Sequence, residues 1–130
     1  MLYVKWTDFR GAMMSNATNF VNYRRGVMPL AILSLLMNRD MYGYELVQEI
    51  ALQSDGAIVT QEGSLYPVLY KLQESGYISD EKKLVGKRMT RIYYHIEPAG
   101  KEYLQELIAD YKTVTGGVMK IISSGGGYNE

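Results

Sequence analysis

The sequence predicts a mainly α-helical domain with one small β-hairpin, an α+β fold. Three observations carry this. Apolar residues recur at helical spacing in four separate stretches, strict alternation occurs only late in the chain, and a glycine-containing basic segment sits between the two alternating runs. With 130 residues, 47% of them hydrophobic, the chain can form one core and an accessory element.

The first 13 residues show no period and no apolar leader, and receive no fold. Asn19 to Gly26 is a short amphipathic piece ending in Arg24 and Arg25. Val27 to Met37 is apolar nearly all round, so it needs cover on most sides, and Pro29 is expected in its first turn. Asp40 is the expected cap of a second helix reaching about Gln53, with Leu46, Val47, Ile50 and Ala51 on its core face.

Thr60 is the expected cap of a third helix that ends before Gly76. Leu65, Val68, Leu69 and Leu72 form its apolar stripe, and Ser64, Tyr66, Tyr70 and Lys71 point outward. Tyr77–Leu84 and Arg91–Glu97 then read as strands. In the second strand Ile92, Tyr94 and Ile96 share one face, and Arg91, Tyr93 and His95 share the other. Pro98 opens a last helix, in which Leu104, Leu107, Ile108, Tyr111, Val114, Val118, Ile121 and Ile122 make a heptad-like seam suited to a partner helix. Gly116 and Gly117 interrupt the seam and predict a bend or a close helix contact there.

Composition narrows the chemistry. Fourteen basic residues balance fourteen acidic ones, yet Lys82, Lys83, Lys87, Arg88 and Arg91 occur within ten residues that contain no acid. The hairpin is therefore a strongly positive projection on a neutral chain. Zero cysteines and one histidine, with no glycine-rich phosphate loop and no carboxylate pair in an apolar pattern, supply no parts for an enzyme, a metal site or a cofactor. No run of about eighteen apolar residues exists, so a cytoplasmic protein without membrane association is expected.

Three helices followed by a hairpin with a basic tip is the element order of a winged helix-turn-helix, here with an added C-terminal dimerisation helix. Four stretches carry a more specific likeness: Arg24-Arg25-Gly26-Val27, Tyr42-Gly43-Tyr44-Glu45-Leu46, Glu62-Gly63-Ser64-Leu65-Tyr66-Pro67 and Arg91-Ile92-Tyr93-Tyr94-His95-Ile96. In this order the chain resembles the PadR family of bacterial transcriptional regulators, from about Asn19 to Ile122. The wing departs from the family pattern by carrying Ile92 where a lysine is common.

The resemblance implies a homodimeric, sequence-specific repressor that binds double-stranded DNA at a pseudo-palindromic operator and is released by a small aromatic effector. Its implied layout is an N-terminal extension (1–18), a winged-helix DNA-binding domain (19–97), a dimerisation helix (98–123) and a disordered tail (124–130). On that reading Gly63 lets backbone approach phosphate, Ser64 bonds a phosphate or base edge, and Tyr66, Tyr70 and Lys71 reach the backbone. Tyr42 contacts flanking phosphate, and Lys87, Arg88 and Arg91 enter or straddle the minor groove. Leu104, Ile108, Val114, Val118, Ile121 and Ile122 are the expected dimer contacts, and Tyr111 with Leu107 the expected effector contacts. The alternative reading is a winged helix that binds only protein, and the salt dependence of DNA binding separates the two.

Overall fold

In the computed structural model residues 17–125 are described, with side chains from residue 26 onward. The order is α1 (Ala17–Leu36), β1 (Met41–Tyr42), α2 (Gly43–Gln53), α3 (Glu62–Glu74), β2 (Ile78–Val85), β3 (Met89–Ile96) and α4 (Pro98–Ser124). Three helices, an antiparallel sheet of order β1-β3-β2 and a long final helix make a winged helix.

The core lies where α1, α2 and α3 meet the base of the sheet. Ile32, Leu33, Leu46 and Leu65 are fully sealed, and Leu69, Leu72, Ile78, Tyr94, Ile96 and Leu104 close around them. All the positions expected on the second helix's core face are buried, and in α3 the stripe is buried at Leu65, Leu69 and Leu72 with Val68 packed at its edge.

Several local expectations are corrected. Pro29 lies inside α1 and not in its first turn, because the piece upstream of Val27 joins the same helix, which starts at Ala17. Its missing N–H leaves one gap in that ladder. The sheet has a third strand that the hairpin reading lacked: Met41 pairs with Tyr94 and Tyr42 with Tyr93. That pairing makes Tyr42 the N-cap residue of α2 in place of Asp40, and the Tyr42 N–H donates to Glu45 Oε1 at 3.3 Å. Glu45 also takes Arg39 at 2.8 Å. Asp40 instead holds His95 Nδ1 at 2.8 Å, tying the α1–β1 connection to β3. Gln61, not Thr60, is the N-cap of α3; Thr60 is buried beside it.

Helix ends follow from backbone chemistry. After Ser75, the Gly76 N–H bonds the Gln73 carbonyl and the Tyr77 N–H bonds the Leu72 carbonyl. This Schellman arrangement needs the left-handed conformation that Gly76 adopts at φ 76°. The Tyr77 carbonyl then accepts the Glu97 N–H at 2.9 Å, and Tyr77 stacks on Tyr103 with ring centroids 4.2 Å apart. Gly100 is buried against that same carbonyl, where a Cβ would collide with backbone.

The terminal helix is part core and part unsupported. Leu104 is only 2% exposed, sealed in its own chain's core, and Leu107 and Ile108 pack on that core. Leu104, expected as a dimer contact, therefore offers no exposed surface to a partner helix: its spacing continues the heptad-like run, but it lies on the length of α4 that its own domain covers. Beyond Ile108, Tyr111, Val114, Val118, Met119 and Ile121 are all exposed, whereas Ile122 is half-buried. α4 continues through Gly116 and Gly117, and nothing of the same chain lies within 4 Å of a Cβ at either. The expected extension falls largely, and the expected tail mostly, outside the described residues, as do the side chains of Arg24 and Arg25.

Candidate nucleic-acid interface

The outward side of α3 divides into two flanks. On the α2 side, Tyr66 lies across the start of α2, so that a Cβ on Gly43 would stand 2.6 Å from the Tyr66 hydroxyl. That hydroxyl donates to Glu62 Oε2 at 3.1 Å, one helical turn back. Burial raises the Tyr66 pKa first, and the Glu62 hydrogen bond and negative charge raise it further, with a last contribution from Tyr94. Tyr66 is therefore a neutral phenol whose single hydroxyl hydrogen is directed to Glu62.

On the other flank Gly63, Ser64, Pro67 and Lys71 line a cleft of about 760 Å³ that runs to Pro29 of α1 and to Tyr103 of α4. Pro67 lies inside α3 and has no N–H for the Gly63 carbonyl. Gly63 has nothing within 4 Å of a Cβ position, so the first turn is open to close approach. Tyr70 projects between the flanks at 63% exposure. All the expected contact residues of α3 are thus at the surface, but Tyr66 and Lys71 face different sides of it.

The wing sorts its cations by face. Register pairs Lys83 with Arg91 and Lys82 with Ile92, so Lys82 and Lys83 point to opposite faces, while Lys87 and Arg88 occupy the turn. Gly86 allows that turn with φ 71°. Ile92 shares its face with the buried Tyr94 and Ile96 but lies beyond the core's reach, at 41% exposure.

On the opposite face a cation–aromatic ladder crosses all three strands. The Arg91 guanidinium lies 4.3 Å from the Tyr42 ring centroid, Tyr42 meets Tyr93 edge to face at 5.5 Å, and the Lys83 ammonium lies 4.9 Å from the Tyr93 ring. Tyr42 and Arg91, singled out separately from the sequence, are brought into contact here. Lys83 and Tyr93 were missed as site residues. The alternation that set Tyr93 beside Arg91 on one face was the signal for the second of them; the first needed the register. Among the described residues neither Lys83 nor Arg91 forms an ion pair, whereas Arg39 is occupied by Glu45 and Glu49.

Tyr111 and Leu107 stand one turn apart on α4, Leu107 against the core and Tyr111 exposed. Among the described residues no group of three or more His, Cys, Asp or Glu could hold a metal ion, and no helix is long and apolar enough to cross a membrane.

A third helix with an open first turn, beside a wing that carries cations without ion pairs among the described residues, is the arrangement of a winged-helix protein of the transcriptional-regulator type. A family model described as "Transcriptional regulator PadR-like family" matches residues 32–106, and the chain belongs to that family. It is 31% identical over 84 residues to the transcriptional regulator Rv3488 of Mycobacterium tuberculosis, covering 65% of this chain and 75% of that protein. A transcriptional regulator from Clostridium thermocellum superposes with a TM-score of 0.72 at 31% identity, over 78% of this chain and 98% of that one. A PadR from Bacillus subtilis, solved in complex with operator DNA, shares the fold with a TM-score of 0.59 at 24% identity, over 63% of this chain and 47% of that one.

Proposed function

We propose that this transcriptional regulator is a dimeric repressor that binds a pseudo-palindromic DNA operator in the cytoplasm and is released by a small aromatic effector. The observation that carries DNA binding is the wing: Lys83, Arg91, Lys87 and Arg88 present cations that no carboxylate of the described residues neutralises. The B. subtilis PadR bound to operator DNA supports the same use of the fold.

The contacts divide by chemistry. Ser64 and the first-turn backbone at Gly63 suit a phosphate or a base edge, Tyr70 donates its hydroxyl to the DNA backbone, Tyr66 can do so only by exchanging its Glu62 bond for a phosphate, Lys71 adds charge, and the wing cations follow the minor groove. Most of these position the protein and do not read bases, so sequence preference rests partly on DNA shape.

Dimerisation is supported by the far half of α4, where Tyr111, Val114, Val118 and Ile121 form an apolar surface that the chain itself leaves uncovered. A two-fold pairing of that surface covers it on both copies and sets two α3 helices about one DNA turn apart. Tyr111 above Leu107 is the flat surface on which an effector would stack.

Fluorescence anisotropy with DNA from beside the protein's own gene tests the reading. The expected result is salt-dependent binding with log K falling linearly against log salt, weakened by one or more planar aromatic compounds. Binding without salt dependence, or binding only to protein, removes it. An effector panel without influence on DNA affinity removes only the release step.

A further inference from the structure

We propose that Tyr42 and Tyr93 are positioning residues that hold Arg91 and Lys83 as two pre-set phosphate clamps on one face of the wing. This rests on the DNA-binding reading above and adds to it how the cations are held. The starting point is a local cost. Register places Lys83 directly opposite Arg91, and like charges at opposed positions of an antiparallel pair destabilise it. The sheet offsets that cost with rings, not with acids. Arg91 leans onto Tyr42 of β1, Lys83 leans onto Tyr93 of β3, and the two rings meet edge to face. Glu81, on the same face and opposite Tyr93, forms an ion pair with neither cation.

The geometry suits a phosphate. A guanidinium held over a ring has N–H groups left for an anion, and an ammonium over a ring has donors remaining on its far side. A carboxylate partner would have consumed those donors. A free lysine or arginine loses substantial rotamer freedom when it grips a ligand. Rings that hold the stems and heads before DNA arrives reduce that loss. Lys82, turned to the other face opposite Ile92, and the tip residues Lys87 and Arg88 have no ring beneath them among the described contacts.

The test is a double-mutant cycle on the full chain, read as affinity for the DNA fragment that the unaltered protein binds. Tyr93→Phe keeps the ring and is expected to bind within about two-fold of the unaltered protein. Tyr93→Leu is expected to weaken binding about three- to ten-fold, in line with one or two cation–π contacts. In a Lys83→Ala background the same Tyr93→Leu change is expected to cost at most about half that factor on a logarithmic scale. Tyr42→Leu with Arg91→Ala is expected to repeat the pattern. Equal losses with and without the cation, or no loss from Tyr93→Leu, overturn the positioning role while leaving DNA binding intact. An unaltered chain that binds no DNA overturns the functional reading and this inference with it.

A second readout requires no substitution. Proton spectra of the free protein are expected to show ring-current upfield shifts on the Lys83 and Arg91 side-chain methylenes, absent from Lys82 and Lys87. Equal shifts across the four overturn the proposal.

Discussion

The Tyr66 hydroxyl stands 2.6 Å from where a Cβ on Gly43 would lie, so the open space above that glycine is what lets α3 lock against the start of α2. A methyl there cannot coexist with the phenol in its present place. Because the obstacle is the far end of a side chain and not backbone, the phenol can yield. Gly43→Ala is expected to lower unfolding free energy by about 1 kcal/mol and to break the Tyr66–Glu62 hydrogen bond. Urea denaturation measures the first, and removal of the Tyr66 hydroxyl in the Gly43→Ala background should return part of the loss.

Gly100 is the stricter case. Its neighbour is the Tyr77 carbonyl, which already accepts the Glu97 N–H and joins the end of α3 to the start of α4. Backbone held on both sides cannot retreat cheaply. Gly100→Ala is expected to cost about 3 kcal/mol, seen as a fall of several degrees or more in Tm, with no relief from trimming any one side chain.

The raised phenol pKa values give a pH prediction. Burial is the first cause for both Tyr66 and Tyr94; Glu62 adds to it for Tyr66 and Asp80 for Tyr94. The folded state thus favours the protonated phenols. Their contribution is fully present below the ordinary tyrosine pKa of about 10 and is lost as pH rises through the higher folded values. Stability should be insensitive to these groups at neutral pH and fall above about pH 10. Tyr66→Phe should reduce that alkaline loss, as followed by unfolding midpoints across pH.

Truncation after Asp110 separates the two parts of α4. Leu104, Leu107 and Ile108 remain to complete the core, while Tyr111, Val114, Val118 and Ile121 are removed. The expected product is a folded monomer by sedimentation, with DNA affinity reduced at least ten-fold because two linked sites become one. A stable dimer from the shortened chain would place the interface elsewhere.

Reversing charge at the wing tip tests its place on DNA. Lys87→Glu with Arg88→Glu should flatten the slope of log K against log salt by about two, since each phosphate contact contributes roughly 0.9. An unchanged slope takes the tip off the DNA.

Much of this architecture was readable in the chain because helix and strand periods are local. Leu46, Val47, Ile50 and Ala51 declared the buried face of α2, as Leu65, Leu69 and Leu72 did for α3. Where the reading stopped, the missing quantity was long-range. Met41 and Tyr42 are too short a strand to show any period, and only pairing with Tyr94 and Tyr93 makes them one. Because Tyr42 is fixed by that pairing, the cap passed from Asp40 to Tyr42 and left Asp40 free for His95.

By itself, then, the sequence determined the winged-helix order, the core faces of α2 and α3, the positive hairpin and the apolar spacing of the last helix, all of which depend on neighbours within a turn or two along the chain. Tertiary structure alone decided which of those apolar positions the domain covers. Leu104 and Val114 have the same spacing and similar chemistry, yet one is sealed and the other is 64% exposed, because the globule ends between them. It also decided which cations share a face. Lys82 and Lys83 are adjacent in sequence, but the strand pleat sends them to opposite sides, and only the register of three strands brings Lys83, Tyr93, Tyr42 and Arg91 into one ladder.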